Sequence, residues 1–167
     1  MWLIEPLRRT HHRDDFECGT PELNEFLKKF ARQNAKLEVS RTYVAVNPGQ
    51  VQVLGYYTLR AGEVACGDLP KDEAKKLPRY SVPIVHLARL AVHRRESGKG
   101  LGEFLLVEAL GRSLRASEEI GAFAVEVIAK NDSAKRFYEK YEFRELADDR
   151  FHLYLSMKKL KKLFQHS

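Results

Sequence analysis

The chain has 167 residues, 44% of them hydrophobic and 31% charged, and carries a formal net charge of +6. That length fits one domain with a true core, and no apolar run approaches the ~20 residues of a membrane-spanning helix. Two cysteines, Cys18 and Cys66, are too few for a disulfide scaffold and lack zinc spacing; the N-terminus lacks the pattern of a signal peptide, so a cytoplasmic protein with no membrane partner is expected.

In chain order, residues 2–8 read as a strand. Thr20-Pro21 opens a helical region, with Thr20 as N-cap and Pro21 at the first helical position. Leu23, Phe26, Leu27, Phe30 and Ala31 recur at helical spacing, which predicts one buried face. Residues 41–46 and 51–60 read as a hairpin around the turn Asn47-Pro48-Gly49-Gln50. Residues 67–80 read as a loop with room for one helical turn. Residues 82–92 are the most apolar strand, expected at the centre of a sheet and covered on both faces. A charged, glycine-rich turn at 93–100 precedes an amphipathic helix over 101–117. Residues 122–129 form another buried strand. Asn131-Asp132-Ser133 offers N-caps for a helix reaching Tyr141. Strands at 143–146 and 152–157 follow, and the lysine-rich stretch 158–162 reads as a solvated tail. The order β-α-β-β-β-α-β-α-β-β predicts one mixed α/β domain over 1–167, a central mixed sheet flanked by helices.

The most informative segment is Arg95-Glu96-Ser97-Gly98-Lys99-Gly100-Leu101-Gly102, between a strand and a helix. Glycines let the backbone turn tightly and approach a ligand. The free N–H groups and the dipole at a helix start suit a pyrophosphate. Arg94, Arg95 and Lys99 add full charges. The segment lacks the Gly-x-x-x-x-Gly-Lys-Ser/Thr of a Walker loop. Its last glycine spacing is also wrong for a dinucleotide fingerprint. On these residues alone, a purely structural glycine turn stays open.

Together with later residues, the segment resembles the GNAT superfamily of acyl-CoA-dependent N-acetyltransferases. The family signature Arg/Gln-x-x-Gly-x-Gly/Ala after the central strand is matched by Arg95, Gly98 and Gly100. An Asn followed by a helix ending in aromatics is matched by Asn131, Ala134, Phe137 and Tyr138. Where the family often has Gly-Phe, this chain has Glu142-Phe143, which predicts a different turn into the next strand. Phe16-Glu17-Cys18-Gly19, Leu23-Asn24-Glu25-Phe26-Leu27, Ser40-Arg41-Thr42 and the strand from His86 to Val92 resemble, more narrowly, the GNAT toxins of bacterial toxin–antitoxin pairs.

The resemblance implies a GNAT fold, acetyl-CoA as cosubstrate and no metal. It implies aminoacyl-tRNA as acceptor, a ribbon-helix-helix antitoxin as partner, and a homodimer. It also implies that Leu90, Ala91 and Val92 pair with pantetheine through backbone groups. The amides of Arg95, Ser97, Gly98, Lys99, Gly100, Leu101 and Gly102 would hold the pyrophosphate. Tyr138 is the implied general acid: a phenol of pKa about 10 is protonated at pH 7 and can supply a proton to the leaving thiolate. Packing beside Phe137 is its plainer explanation. Asn131 touches the coenzyme or serves only as a helix cap. His86 and Glu126 are candidates for a base, and equally for a core histidine and an ion-pair member. Arg89, which strand alternation puts on the face opposite His86, lines the acceptor groove or pairs with a buried acid. The basic groups Arg8, Arg9, His11, His12 and Arg13, and the tail lysines, contact phosphates if the acceptor is tRNA and are otherwise solvated surface. Neither cysteine stands in a recognised nucleophile setting, so direct transfer is expected. Acetylation of a protein amine or a small amine is a second reading. An acyl-CoA-binding regulatory module without turnover is a third, and it would need no placed acid.

Overall fold

The computed structural model describes residues 1–165; the last two residues of the expected domain lie outside them. Seven strands form one sheet: β1 (Leu3–Pro6), β2 (Arg41–Val46), β3 (Gly55–Val64), β4 (Val82–Val92), β5 (Ala124–Ile128), β6 (Arg144–Glu145) and β7 (His152–Ser156). Their spatial order is β1-β2-β3-β4-β5-β7-β6. The β4–β5 pair is parallel, while β1–β2, β2–β3, β5–β7 and β6–β7 are antiparallel, so the sheet is mixed as expected. The helices are α1 (Pro21–Glu25), α2 (Ala31–Lys36), α3 (Lys71–Ala74), α4 (Leu101–Ile120), α5 (Asp132–Glu139) and α6 (Met157–Gln165). Among the described residues, no helix is long and apolar enough to cross a membrane.

The chain divides into two compact units, one of residues 1–60 and 87–109, the other of residues 61–86 and 110 onward. The first packs Phe16, Phe26, Leu27, Val44, Tyr56 and Ala91 into a core. Tyr56 is fully buried and its hydroxyl donates to the Leu23 carbonyl at 2.7 Å, which satisfies its polar end. In the second unit, Val64, Leu69, Val82, Ile84, Ala124, Leu146 and Tyr154 form the core.

Three predicted elements differ from the structure. The helical region that begins at Pro21 is interrupted by a π turn over Phe26–Phe30. The extra residue in such a turn shifts the helical phase. Phe30, expected on the buried face, is therefore 44% exposed, while Phe26, Leu27 and Ala31 stay buried. The strand expected at 51–60 starts only at Gly55 and runs on to Val64. Before it, Val51 and Val53 bond instead to His12, whose N–H donates to the Val51 carbonyl at 2.8 Å. The expected solvated tail is helix α6. Met157 and Leu160, one turn apart, bury against the fold while the lysines between them face out.

Candidate active site

In the first unit, β4 ends at the buried His93. Its Nδ1 accepts the Arg95 N–H at 3.2 Å, and its Nε2 side meets the Asp15 carbonyl at 3.2 Å. A neutral imidazole with its proton on Nε2 serves both bonds. His93 thus pins the single 3-10 turn Arg94–Glu96 that opens the glycine segment. Gly98 and Gly100 follow with φ of +77° and +86°. A side chain there costs about 1–2 kcal/mol. No atom lies within 4 Å of a Cβ built at either position, so backbone conformation, not crowding, calls for glycine. Gly102 differs: it lies within α4, and a Cβ would make an ordinary 3.8 Å contact with Val92. Ser97 through Gly100 are exposed, and the buried Leu101 anchors the helix start. The first N–H groups of α4 have no intrahelical acceptor and carry the positive end of the helix dipole.

The cations around this turn are already paired. Arg95 lies 3.3 Å from Asp15, Arg94 3.6 Å from Glu17 and Lys99 2.9 Å from Glu96. Exposed pairs of this kind contribute at most about 1 kcal/mol, so the cations can exchange partners when an anion arrives. The turn is thus a backbone site bordered by exchangeable charges. Leu90 and Val92 are half-buried and Ala91 is buried at the end of β4.

Arg89 is half-buried with its guanidinium carbon 3.5 Å from the centroid of the Phe26 ring. Tyr56 stacks on the same ring. Burial lowers the Arg89 pKa and the nearby Tyr56 opposes that shift; a guanidinium nevertheless stays charged. Of the two expectations for Arg89, pairing with a buried acid is not what the structure shows: its neighbour is an aromatic face. The N-terminal basic cluster is also changed. His11 is buried, with Nε2 2.8 Å from Glu5, and its Nδ1 accepts the Arg8 N–H at 2.9 Å. Arg13 donates to the Leu27 carbonyl at 3.2 Å. These two residues brace the fold instead of forming a free basic patch.

In the second unit, α5 presents Tyr138 from its last turn. The ring packs edge-on to Phe137 at 5.3 Å and tilted against Phe143 at 5.5 Å. Tyr138 is half-buried, and burial pushes its phenol up to about 12. It is therefore a protonated donor throughout the physiological range and no base. Asn131 is the N-cap of α5: its Oδ1 accepts the Ala134 N–H at 2.8 Å, so the capping explanation holds. Glu142 adopts φ +71°. The turn into Phe143 thus has the left-handed geometry a glycine would favour, and the expected different turn is not found.

His86 on β4 and Glu126 on β5 are register partners. His86 Nδ1 lies 2.6 Å from Glu126 Oε1, an ion-pair distance without hydrogen-bond directionality. The other oxygen, Oε2, is hydrogen-bonded by His152 Nε2, and His152 Nδ1 lies 2.8 Å from Asp148. Burial alone would raise the Glu126 pKa, but the two imidazoles outweigh it and hold the carboxyl below its ordinary value. Burial alone would lower that of His152, but Asp148 and Glu126 outweigh it and hold the imidazole above its ordinary value. His152 and Asp148 escaped sequence reasoning, because only the β5–β7 register brings them beside Glu126. These residue types often ligate metals, yet among the described residues no group is arranged to hold one. Cys18 and Cys66 are both free thiols.

Known proteins share this architecture. The profile of the acetyltransferase (GNAT) domain matches residues 38–145. The tRNA-acetylating toxin of Mycobacterium tuberculosis (strain ATCC 25618 / H37Rv) is 40% identical over 154 residues, 90% of this chain and 91% of that protein. Among solved structures, AtaT complexed with acetyl-methionyl-tRNAfMet superposes with a TM-score of 0.91 at 31% identity, covering 98% of this chain and 99% of the other. A tyrosine-to-phenylalanine mutant of AtaT, bound to the C-terminus of the antitoxin AtaR and acetyl-CoA, gives 0.82 at 27% identity, with 99% of each chain covered. A helix-opening glycine turn after the longest strand, a phenol held protonated at a helix end, and these matches lead to one assignment: the chain belongs to the GNAT acetyltransferases.

Proposed function

We propose that this acetyltransferase moves the acetyl group of acetyl-CoA onto the amino group of an aminoacyl-tRNA, and so acts as a toxin against translation. The main support is the 40% identity, over 90% of the chain, to a toxin that acetylates tRNA. We place it in the cytoplasm, where charged tRNA is found, with a ribbon-helix-helix antitoxin as its partner. The two units are taken to serve one catalytic domain.

In this reading the amides from Arg95 and Ser97 through Gly98, Lys99, Gly100, Leu101 and Gly102 hold the pyrophosphate. The positive φ at Gly98 and Gly100 favours that role, because glycines in this conformation turn the backbone tightly and let a ligand approach it closely. Leu90, Ala91 and Val92 offer backbone groups to pantetheine, and Asn131 adds a contact beside its cap. Arg89, with no acid beside it and one face on Phe26, suits an anionic acceptor such as a terminal nucleotide. The neutral amine attacks the thioester carbonyl; a C–N bond forms and the C–S bond breaks. Tyr138, raised to about 12, stays protonated at physiological pH and gives that proton to the departing thiolate, while the proton the amine nitrogen sheds as the amide forms restores the phenol.

The test is thiol release from acetyl-CoA with a pool of charged tRNA. Tyr138→Phe is expected to lower kcat by about 10²-fold or more, while the Kd for acetyl-CoA and the melting temperature stay unchanged. Unchanged kcat would remove Tyr138 from the chemistry.

A further inference from the structure

We propose that His93 is the positioning residue of the coenzyme site: its imidazole holds the glycine turn in the shape that takes the pyrophosphate, and the affinity for acetyl-CoA depends on it. The inference rests on the reading above that this turn holds the pyrophosphate. It concerns how the turn is kept in shape, so it can fail while that reading stands.

The turn has little else to hold it. From Arg94 to Gly100 no residue is buried, and only Glu96 is partly covered. Nothing lies within 4 Å of a Cβ built at Gly98 or Gly100, so no neighbour packs against the backbone on that side. The buried residues that bracket the segment are His93, 4% exposed, and Leu101, 1% exposed. Leu101 fixes the start of α4 by apolar packing. His93 fixes the other end by hydrogen bonds.

The imidazole joins the turn to the segment Asp15–Glu17. Nδ1 accepts the Arg95 N–H at 3.2 Å, Nε2 meets the Asp15 carbonyl at 3.2 Å, and the ring stands edge-on to Phe16 at 5.6 Å. Backbone bonds run beside it: the Arg94 N–H donates to the Glu17 carbonyl at 2.8 Å and the Glu96 N–H to the His93 carbonyl at 2.8 Å. The segment Asp15–Glu17 is in turn tied to α1. The Glu17 carboxylate accepts the Gly19 N–H at 2.7 Å and the Asn24 side-chain amide at 2.8 Å.

Filling space does not explain this imidazole. Phe16, against which it packs, belongs to an apolar core. A polar ring buried there costs free energy unless its bonds are made. An apolar side chain would fill the same space and leave the Arg95 N–H without this acceptor. A turn that is ordered before the ligand arrives needs less of the binding energy for its own ordering, so a residue that never touches the ligand can still raise affinity. His93 acts in this way, through the Arg95 amide and the amides that follow it.

The test compares three variants of the whole chain by calorimetry with acetyl-CoA and by melting temperature. Asn puts its side-chain oxygen where Nδ1 stands and is a strong N-cap. Gln is closer to the imidazole in size but reaches toward the Asp15 carbonyl instead. His93→Ala is expected to raise the Kd for acetyl-CoA about tenfold. His93→Asn is expected to recover most of that loss although it fills the site less well, and His93→Gln is not. Transfer from acetyl-pantetheine, which has no pyrophosphate, to charged tRNA is expected to keep its kcat/KM in every variant that folds. If His93→Ala does not fold, the contrast between Asn and Gln carries the test. Kd values that follow melting temperature and not the acceptor at the Nδ1 position, or an equal loss with acetyl-pantetheine, would overturn the positioning role alone. No binding of acetyl-CoA by the unaltered chain would overturn the coenzyme reading, and this role with it.

Discussion

Glu142 shows how one residue can record a tension in the fold. It sits at φ +71° directly before Phe143, the residue that packs on Tyr138. The left-handed region costs a side chain about 1–2 kcal/mol, and glycine returns part of that gain through greater freedom in the unfolded chain. Its pair with Lys159 at 3.0 Å is exposed and offsets little. Glu142→Gly is therefore expected to stabilise the protein by about 0.5–1 kcal/mol in denaturant unfolding, with Tyr138 left in place. A loss of stability would mean that the Lys159 pair outweighs the backbone cost. Gly98 and Gly100 show the converse, with glycine where the backbone requires it.

At the scale of elements, α6 carries the clearest test. Leu160 is 1% exposed, one helical turn from Met157, and the pair holds a strongly basic helix to the second unit. Leu160→Ala should cost about 2–5 kcal/mol and lower the melting temperature, whereas Lys161→Ala on the outer face should change little. Equal effects of the two would return the segment to the solvated tail that its lysines suggest. The helical spacing of Met157 and Leu160 was present in the sequence, but the charge between them masked it. The π turn at Phe26–Phe30 was less legible still, since an inserted residue keeps helical propensity and changes only the phase. β4, by contrast, was readable end to end as one apolar run, although only Val82, Ile84, Leu87 and Ala91 are buried and the expected cover on both faces is incomplete.

For the molecule as a whole, chemistry held in one stretch of chain was legible and chemistry assembled across strands was not. Arg95 to Gly102 carries its meaning locally, in glycine conformation and a helix start. The partners of Glu126 depend on register: His152 stands one diagonal step along β7, a relation no spacing in the chain reveals. The charges also read differently once placed. Arg94, Arg95 and Lys99 have carboxylate partners, so the +6 net charge must act through surface lysines and arginines elsewhere. If those cations meet a polyanionic acceptor, kcat/KM for it should fall about tenfold or more between low and moderate salt. The measurement that bears most directly on the account is mass spectrometry of charged tRNA after incubation with acetyl-CoA, comparing the unaltered chain with Tyr138→Phe. The account predicts acetyl on the amino group of the tRNA-linked amino acid with the unaltered chain and little with the variant. Unmodified charged tRNA, under conditions where the chain binds acetyl-CoA, would contradict it.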